Sequence, residues 1–316
     1  MEKILKYKSK IYIDRDDSNT IKGFLILLIV LGHNHLLAPV HSMLFDYLYS
    51  FHLVCFFILP CFYNKKIFLS SDGIRKLSKR LLVPYIMFFF ICMVASMIVI
   101  KGQHLDFFQI VKGFIIGSPY TLRKSVGFIF LWFLPSFFSF SILRLVGSRY
   151  KKVNYILIFI SIFCLFPSVI IEEYLKNILP LGFMFAIKFY WIGWICFRLF
   201  PYINELKYIW TILFIGISLL VCIGNQRIVI LRLVPLFAFP VIVFLLPVLR
   251  LLPLKWLGKY SLEVYLLHVF ILSVLQRIFP QNIFGGIVEY VVALFVSYMI
   301  VKLIYKIKLN LILFPK

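Results

Sequence analysis

The chain has 316 residues, 63% of them apolar and 15% charged, with a mean hydropathy of +1.00 and a formal charge of +22. That composition excludes a water-soluble domain, because so much apolar surface finds no core to enter, and lipid must be the solvent. Nor does the charge point to nucleic acid: the 34 Lys and Arg residues are scattered between apolar runs rather than gathered on a basic face.

The opening residues, MEKILKYKSKIYIDRDD, are charged and lead into no short apolar run with a small-residue cleavage site, so no removable signal peptide is expected. Beyond them, apolar runs bounded by charge, Pro or Gly mark spans near 23–38, 48–63, 83–100, 127–146, 153–171, 178–199, 208–224, 233–249, 262–279 and 285–306. A crossing needs roughly 20 apolar residues, so these runs predict an all-α, polytopic membrane protein of about ten helices. Assigned to alternating sides, most Lys and Arg residues fall on one side, which places the N- and C-termini in the cytoplasm. Segment 101–125 is the exception, with four basic residues on the nominal outside. The chain reads as one transmembrane domain: a basic cytoplasmic segment (1–21), a helical bundle (22–306) and a cytoplasmic tail (307–316). No internal repeat is visible, and Pro60, Pro135, Pro180, Pro240 and Pro247 are placed to kink spans. The six Cys residues lie inside apolar runs without metal or redox spacing, so they read as small buried hydrophobes, and no metal site is expected.

Ionisable side chains within spans are costly and are functional candidates by default. In the first span, IKGFLILLIVLGHNH, Lys22 precedes His33 by 11 positions. On a helix that is three turns plus ~20°, so both project from one face ~16 Å apart. Lys22 is then placed to hold an anion at the inner rim and His33 to act deep in the membrane, whereas a packing histidine is the bland alternative. His35 projects elsewhere. His52, one turn into the inward-running second span, is expected at a depth similar to His33.

In GIRKLSKRLLVPY, Arg75, Lys76, Lys79 and Arg80 recur at three- and four-residue intervals and share one helix face. Such a face either sets topology and attracts anionic lipid or clamps the phosphates of a cytosolic substrate. Trp132 in LWFLPSFF is an interface anchor or a stacking platform. In GKYSLEVYLLHVFI, Ser261, Tyr265 and His268 share a face and Glu263 lies to one side, which suits orienting a substrate or holding the bundle by hydrogen bonds.

TIKGFLILLIVLGHNH resembles the opening of the acyltransferase 3 family, in which a basic residue and a histidine are separated by ten positions. FHLVCFF, RKLSKRLLVPY, LWFLPSFF and GKYSLEVYLLH are similar to later family segments and follow in family order. The first segment is most similar to fucose-4-O-acetylase-like members. Two departures stand out: Pro60-Cys61 replaces a small pair, and the paired arginines before the Pro map loosely onto Lys76, Lys79 and Arg80. With the tenth apolar run close to the last residues, the esterase-like domain appended in larger members is not expected here.

The resemblance implies a membrane O-acyltransferase, most often an O-acetyltransferase, of the bacterial cytoplasmic membrane. It implies acyl-coenzyme A, usually acetyl-CoA, as donor and an envelope, capsule or lipid-linked glycan as acceptor, with membrane lipids as further partners and no permanently bound cofactor. His33, His52 and Glu263 are the expected catalytic group. Lys22, Arg75, Lys76, Lys79 and Arg80 are the expected donor-binding group, and Trp132, Tyr265 and His268 the expected acceptor-binding group. The rivals are a glycan flippase or polymerase, which needs more spans or a large outer loop, and a transporter, which usually shows matching broken helices in two halves.

Overall fold

The structure is a computed structural model that describes residues 13–62, 69–99, 106–164, 174–199, 202, 205–223 and 227–315. Most of the N-terminal basic segment, Lys65, Lys66, part of segment 101–125 and Lys316 lie outside the described residues. The described elements are helical throughout, and they fall into two compact units: Met1–Lys65 with Ile192–Ile304, and Lys66–Trp191 with Tyr305–Lys316.

The first unit opens with α1 (Arg15–Gly32), whose N-cap Asp14 accepts from the backbone N–H of Asp17 at 2.7 Å. Its buried face carries Ile21, Leu25, Ile26, Ile29 and Val30. The helix ends earlier than the apolar run does, at Gly32, and His33 is its C-cap. Helix α2 (Met43–Ile58) is capped by Ser42 and continues as a 3-10 turn, Leu59–Phe62. Its second half is buried all round, as a helix at the centre of a bundle must be. The unit also holds α10 (Lys207–Ile223), α11 (Arg227–Phe244), α12 (Leu246–Leu249), α13 (Leu254–Lys259), α14 (Ser261–Leu275) and most of α15 (Ile283–Lys306).

Glycine sets how α1 meets α13. A Cβ on Gly258 would run into the backbone oxygen of Asn19 and stand 2.8 Å from the Gly23 nitrogen, and one on Gly23 would meet the Leu254 carbonyl. Backbones approach this closely only through small residues. Outside the apolar contact, Lys255 Nζ donates to Asp16 at 2.8 Å and Arg250 grips both carboxylate oxygens of Asp17 at 2.7 Å. The Lys255 hydrogen bond holds the Asp16 carboxyl below its ordinary range.

The second unit contains α3 (Ser71–Val99), α4 (Phe107–Ile116), α5 (Pro119–Ser125), α6 (Phe133–Arg149, preceded by the 3-10 turn Ile129–Trp132), α7 (Lys151–Phe163), α8 (Phe183–Lys188) and α16 (Asn310–Leu313). Helix α9 (Tyr190–Leu199) passes from this unit into the first. The basic run and the third apolar run are one continuous helix, α3, with Pro84 inside it. Segment 101–125, read from sequence as a connection between spans on the nominal outside, supplies α4 and α5. They are joined at Gly117, whose φ of 62° few other residues tolerate, and α5 starts on a Ser118–Thr121 capping box.

Among the described residues, four helical stretches are long and apolar enough to cross a membrane: Met43–Phe62, Ser71–Ile98, Ile129–Arg149 and Ile283–Lys306. Pro180–Lys188 and Tyr190–Leu199, bent by 42° at the break between them, pass the same test only when taken together, as a broken span or a re-entrant loop. Phe107–Ile116, Lys207–Val221, Ile230–Phe244 and Ser261–Leu275 are apolar but shorter. Large apolar side chains also face outward, Ile98 at 71%, Phe159 at 72% and Phe284 at 72% exposure among them, a surface that lipid covers and water does not. The chain is a helical multi-pass membrane protein.

Candidate active site

The turn that ends α1 sets His33 against two other helices. Its Nδ1 lies 3.0 Å from the Ile29 carbonyl oxygen one turn back. His52 on α2 makes the same kind of contact with Leu48 O, and His268 on α14 with Val264 O at 3.2 Å. A carbonyl oxygen only accepts, so in all three rings Nδ1 carries the hydrogen. In the neutral ring Nε2 then presents a lone pair.

The rings gather at the C-terminal end of α1. His33 and His268 meet edge to face with centroids 4.8 Å apart, and Tyr265 lies 5.8 Å from His268. Tyr49, one turn before His52 on α2, stands 5.6 Å from the His33 ring and 5.0 Å from the His52 ring. Its hydroxyl is 3.0 Å from His33 Nε2, to which it donates. Phe45 stacks on Tyr49 at 4.1 Å and holds it there. Gly32 makes room for this crossing, because a Cβ there would sit 3.2 Å from Tyr49 Cε2 and 3.8 Å from His52 Cε1. His52 and His268 are fully buried and His33 is half-buried. Among the described residues, no three His, Cys, Asp or Glu side chains gather as a metal ion would require.

Of the residues singled out from sequence, His33, His52, Tyr265 and His268 therefore come together. Buried Glu263 sits on α14, five residues before His268, which is ~7.5 Å along the helix and ~140° around it. Lys22 lies half-buried on α1, ~16 Å along the helix from His33. Arg75, Lys76, Lys79 and Arg80 belong to the second unit. They are exposed on the first turns of α3, where Lys76 pairs with Asp72 at 3.4 Å. Trp132 is in the same unit, half-buried against Phe185 at 4.9 Å. His35 is exposed.

Sequence reasoning missed Tyr49 and two further groups. Asn34, fully buried, donates to Gly286 O at 2.8 Å and so ties the end of α1 to α15. Glu289, on the buried face of α15, is also fully enclosed. The signal for Glu289 was present, a lone carboxylate in an apolar run. Tyr49 carried none in a chain with 18 Tyr and 36 Phe residues.

A model of the acyltransferase 3 family, described as an acyltransferase domain, matches residues 15–306, which takes in most of both units and every residue of the ring cluster. No curated protein and no solved structure matches the chain.

Proposed function

We propose, for a chain that belongs to the acyltransferase 3 family, that this membrane acyltransferase moves an acetyl group from acetyl-CoA to a hydroxyl of an envelope, capsule or lipid-linked glycan. The observation that carries the reading is the His33 ring. Its Nδ1–H is fixed on Ile29 O, and its Nε2 already receives a hydroxyl, that of Tyr49, at 3.0 Å. A nitrogen that holds a phenolic hydroxyl in this way is built to hold a sugar hydroxyl and to take its proton.

In this mechanism His33 Nε2 removes the proton as the sugar oxygen attacks the thioester carbonyl. The carbon–sulfur bond breaks, and the leaving thiolate takes the proton back from Nε2, so the ring ends as it began. His52 and Glu263 orient the ring and the acceptor, and Tyr265, His268 and Trp132 contact the acceptor. Lys22, Arg75, Lys76, Lys79 and Arg80 hold the donor phosphates, for which guanidinium and ammonium groups are suited. The same reading gives about ten crossings, with the shorter apolar helices counted as partial or broken spans and both termini cytoplasmic, in a bacterial cytoplasmic membrane. It also places the chain in the fucose-4-O-acetylase-like branch.

The test is purified His33→Ala protein with radiolabelled acetyl-CoA and membranes as the acceptor source. General-base removal costs on the order of 100-fold or more in glycan labelling. Labelling at the wild-type rate would show that His33 is not the base.

A further inference from the structure

Glu289 has a relative exposure of zero, and neither of its carboxyl oxygens has a hydrogen-bond partner among the described residues. A carboxyl buried in an apolar bundle without a partner is expensive, and inside a membrane it marks a functional position by default.

Its place in the fold is fixed by two ties between α15 and α1. Asn34 Nδ2 donates to Gly286 O at 2.8 Å, and Tyr290 Oη donates to Leu27 O at 3.1 Å. Asn34 is itself held in place, since its Oδ1 accepts from the N–H groups of Leu36 and Leu37, both at 3.1 Å. Gly286 allows the close approach, because a Cβ there would stand 2.9 Å from Leu36 Cβ. Glu289 is one turn along α15 from Gly286 and adjacent to Tyr290, while Asn34 is the next residue after His33. The carboxyl therefore belongs to the same end of α1 as the ring cluster.

A second group in that region is unsatisfied in the same sense. His52 is fully buried, its Nδ1–H is given to Leu48 O, and its Nε2 has no hydrogen-bond partner among the described residues. His33 Nε2, His52 Nε2 and the two Glu289 oxygens make a set of acceptors, and of these His33 Nε2 receives a protein donor, the Tyr49 hydroxyl. A buried acceptor left unpaired is costly, so this end of the unit is complementary to a molecule that brings several donors. A neutral sugar does so with its ring hydroxyls. A carboxylate-bearing sugar or a phosphate end adds negative charge beside the Glu289 carboxyl, with no cationic side chain among those placed at this end of the unit to offset it.

We infer that Glu289 is an acceptor-binding residue, taking hydroxyl groups of a neutral sugar, with His52 Nε2 receiving another hydroxyl of the same ring. The inference rests on the transferase reading above and adds to it the class of acceptor and a residue that selects it.

The experiment uses full-length protein with Glu289→Leu and Glu289→Gln variants brought to equal levels in membranes. Two rates are read: acetyl label entering the glycan of those membranes, and acetyl-CoA hydrolysis by purified protein without acceptor. In Glu289→Leu, labelling should fall about tenfold further than hydrolysis does, and Glu289→Gln, which keeps one acceptor oxygen, should recover part of the loss. Methyl glucopyranoside should compete with labelling by the wild-type protein, and methyl glucuronopyranoside should not. Glu289→Leu labelling at the wild-type rate, or losing labelling and hydrolysis in parallel, overturns the assignment of Glu289. Equal competition by the two glycosides overturns the neutral-sugar class. Wild-type protein that neither labels glycan nor hydrolyses donor instead overturns the transferase reading, and this inference falls with it.

Discussion

Tyr49 donates its phenolic hydrogen to Nε2 of His33 across 3.0 Å, so two helices meet on the nitrogen that the proposed chemistry needs. The other ring nitrogen is occupied by the Ile29 carbonyl. The acceptor hydroxyl must share or take over the position Tyr49 now holds, which makes Tyr49 a positioning residue for the ring and a stand-in for the substrate. Tyr49→Phe keeps the stack on Phe45 and removes only the hydroxyl. Expected is a fall of about tenfold in kcat with no rise in the acceptor KM, because the ring loses one of its two anchors and the acceptor loses a competitor. Steady-state labelling at varied acceptor checks this; a raised KM at unchanged kcat would put Tyr49 in acceptor binding instead.

The close crossing of α1 and α13 predicts a different kind of loss. A methyl group on Gly258 meets backbone atoms of Asn19 and Gly23, which have no rotamer to move away by, so the helices must separate. Gly258→Ala is expected to cost about 1–3 kcal/mol, read as a lowered Tm in detergent. Gly216 on α10 is the control, since a Cβ there meets nothing within 4 Å. Gly216→Ala should leave the Tm level or raise it slightly, as alanine favours helix. Equal Tm values for both variants would mean that the α1–α13 contact contributes little.

How far the sequence reached is clear from these elements. Regular spacing exposed the Ser261, Tyr265 and His268 face and the relation of Lys22 to His33, because both depend only on helical geometry within one run. It also picked out His33, His52 and His268 from an apolar background in which any ionisable group stands out. It did not reveal that one aromatic ring, Tyr49, bonds to His33. That pairing depends on how α1 crosses α2, which the missing side chain of Gly32 permits and which no periodicity encodes. Helices α4 and α5 were missed for a related reason: they are short, and they follow a charged segment that reads as a connection between spans until the Gly117 turn and the Ser118 cap are seen. The family match covers the sequence pattern but says nothing of these contacts.

Acid should act first on the polar rim of α1. Lys255 donates to Asp16 and holds that carboxyl below its ordinary range. A carboxyl whose folded pKa is depressed stabilises the fold above its unfolded value, and the benefit goes as pH falls through the lower folded value. The Tm difference between wild type and Asp16→Asn should therefore be level from neutral pH down to about 4 and close below it. A difference that grows toward acid pH would mean that the pair opposes folding. The bidentate Asp17–Arg250 pair is better enclosed, with the Asp17 side chain 15% exposed, so Asp17→Asn should cost more than Asp16→Asn at neutral pH, about 1 kcal/mol.

The basic face of α3 separates two uses of positive charge. Lys79 and Arg80 are exposed near the start of a helix that continues as an apolar span, where topology and anionic lipid alone could account for them. If they hold donor phosphates, their loss must depend on the donor having phosphates. Lys79→Ala with Arg80→Ala should raise the KM for acetyl-CoA by about tenfold or more, a charge-assisted hydrogen bond being worth roughly 1.5–3 kcal/mol. The same protein should use S-acetylpantetheine, which carries the thioester and no phosphate, as well as wild type does. A membrane-anchoring role predicts instead an equal loss with both donors, because misplacement of the helix is blind to the nucleotide end. The ratio of the two KM changes, measured on protein of matched insertion, decides between them.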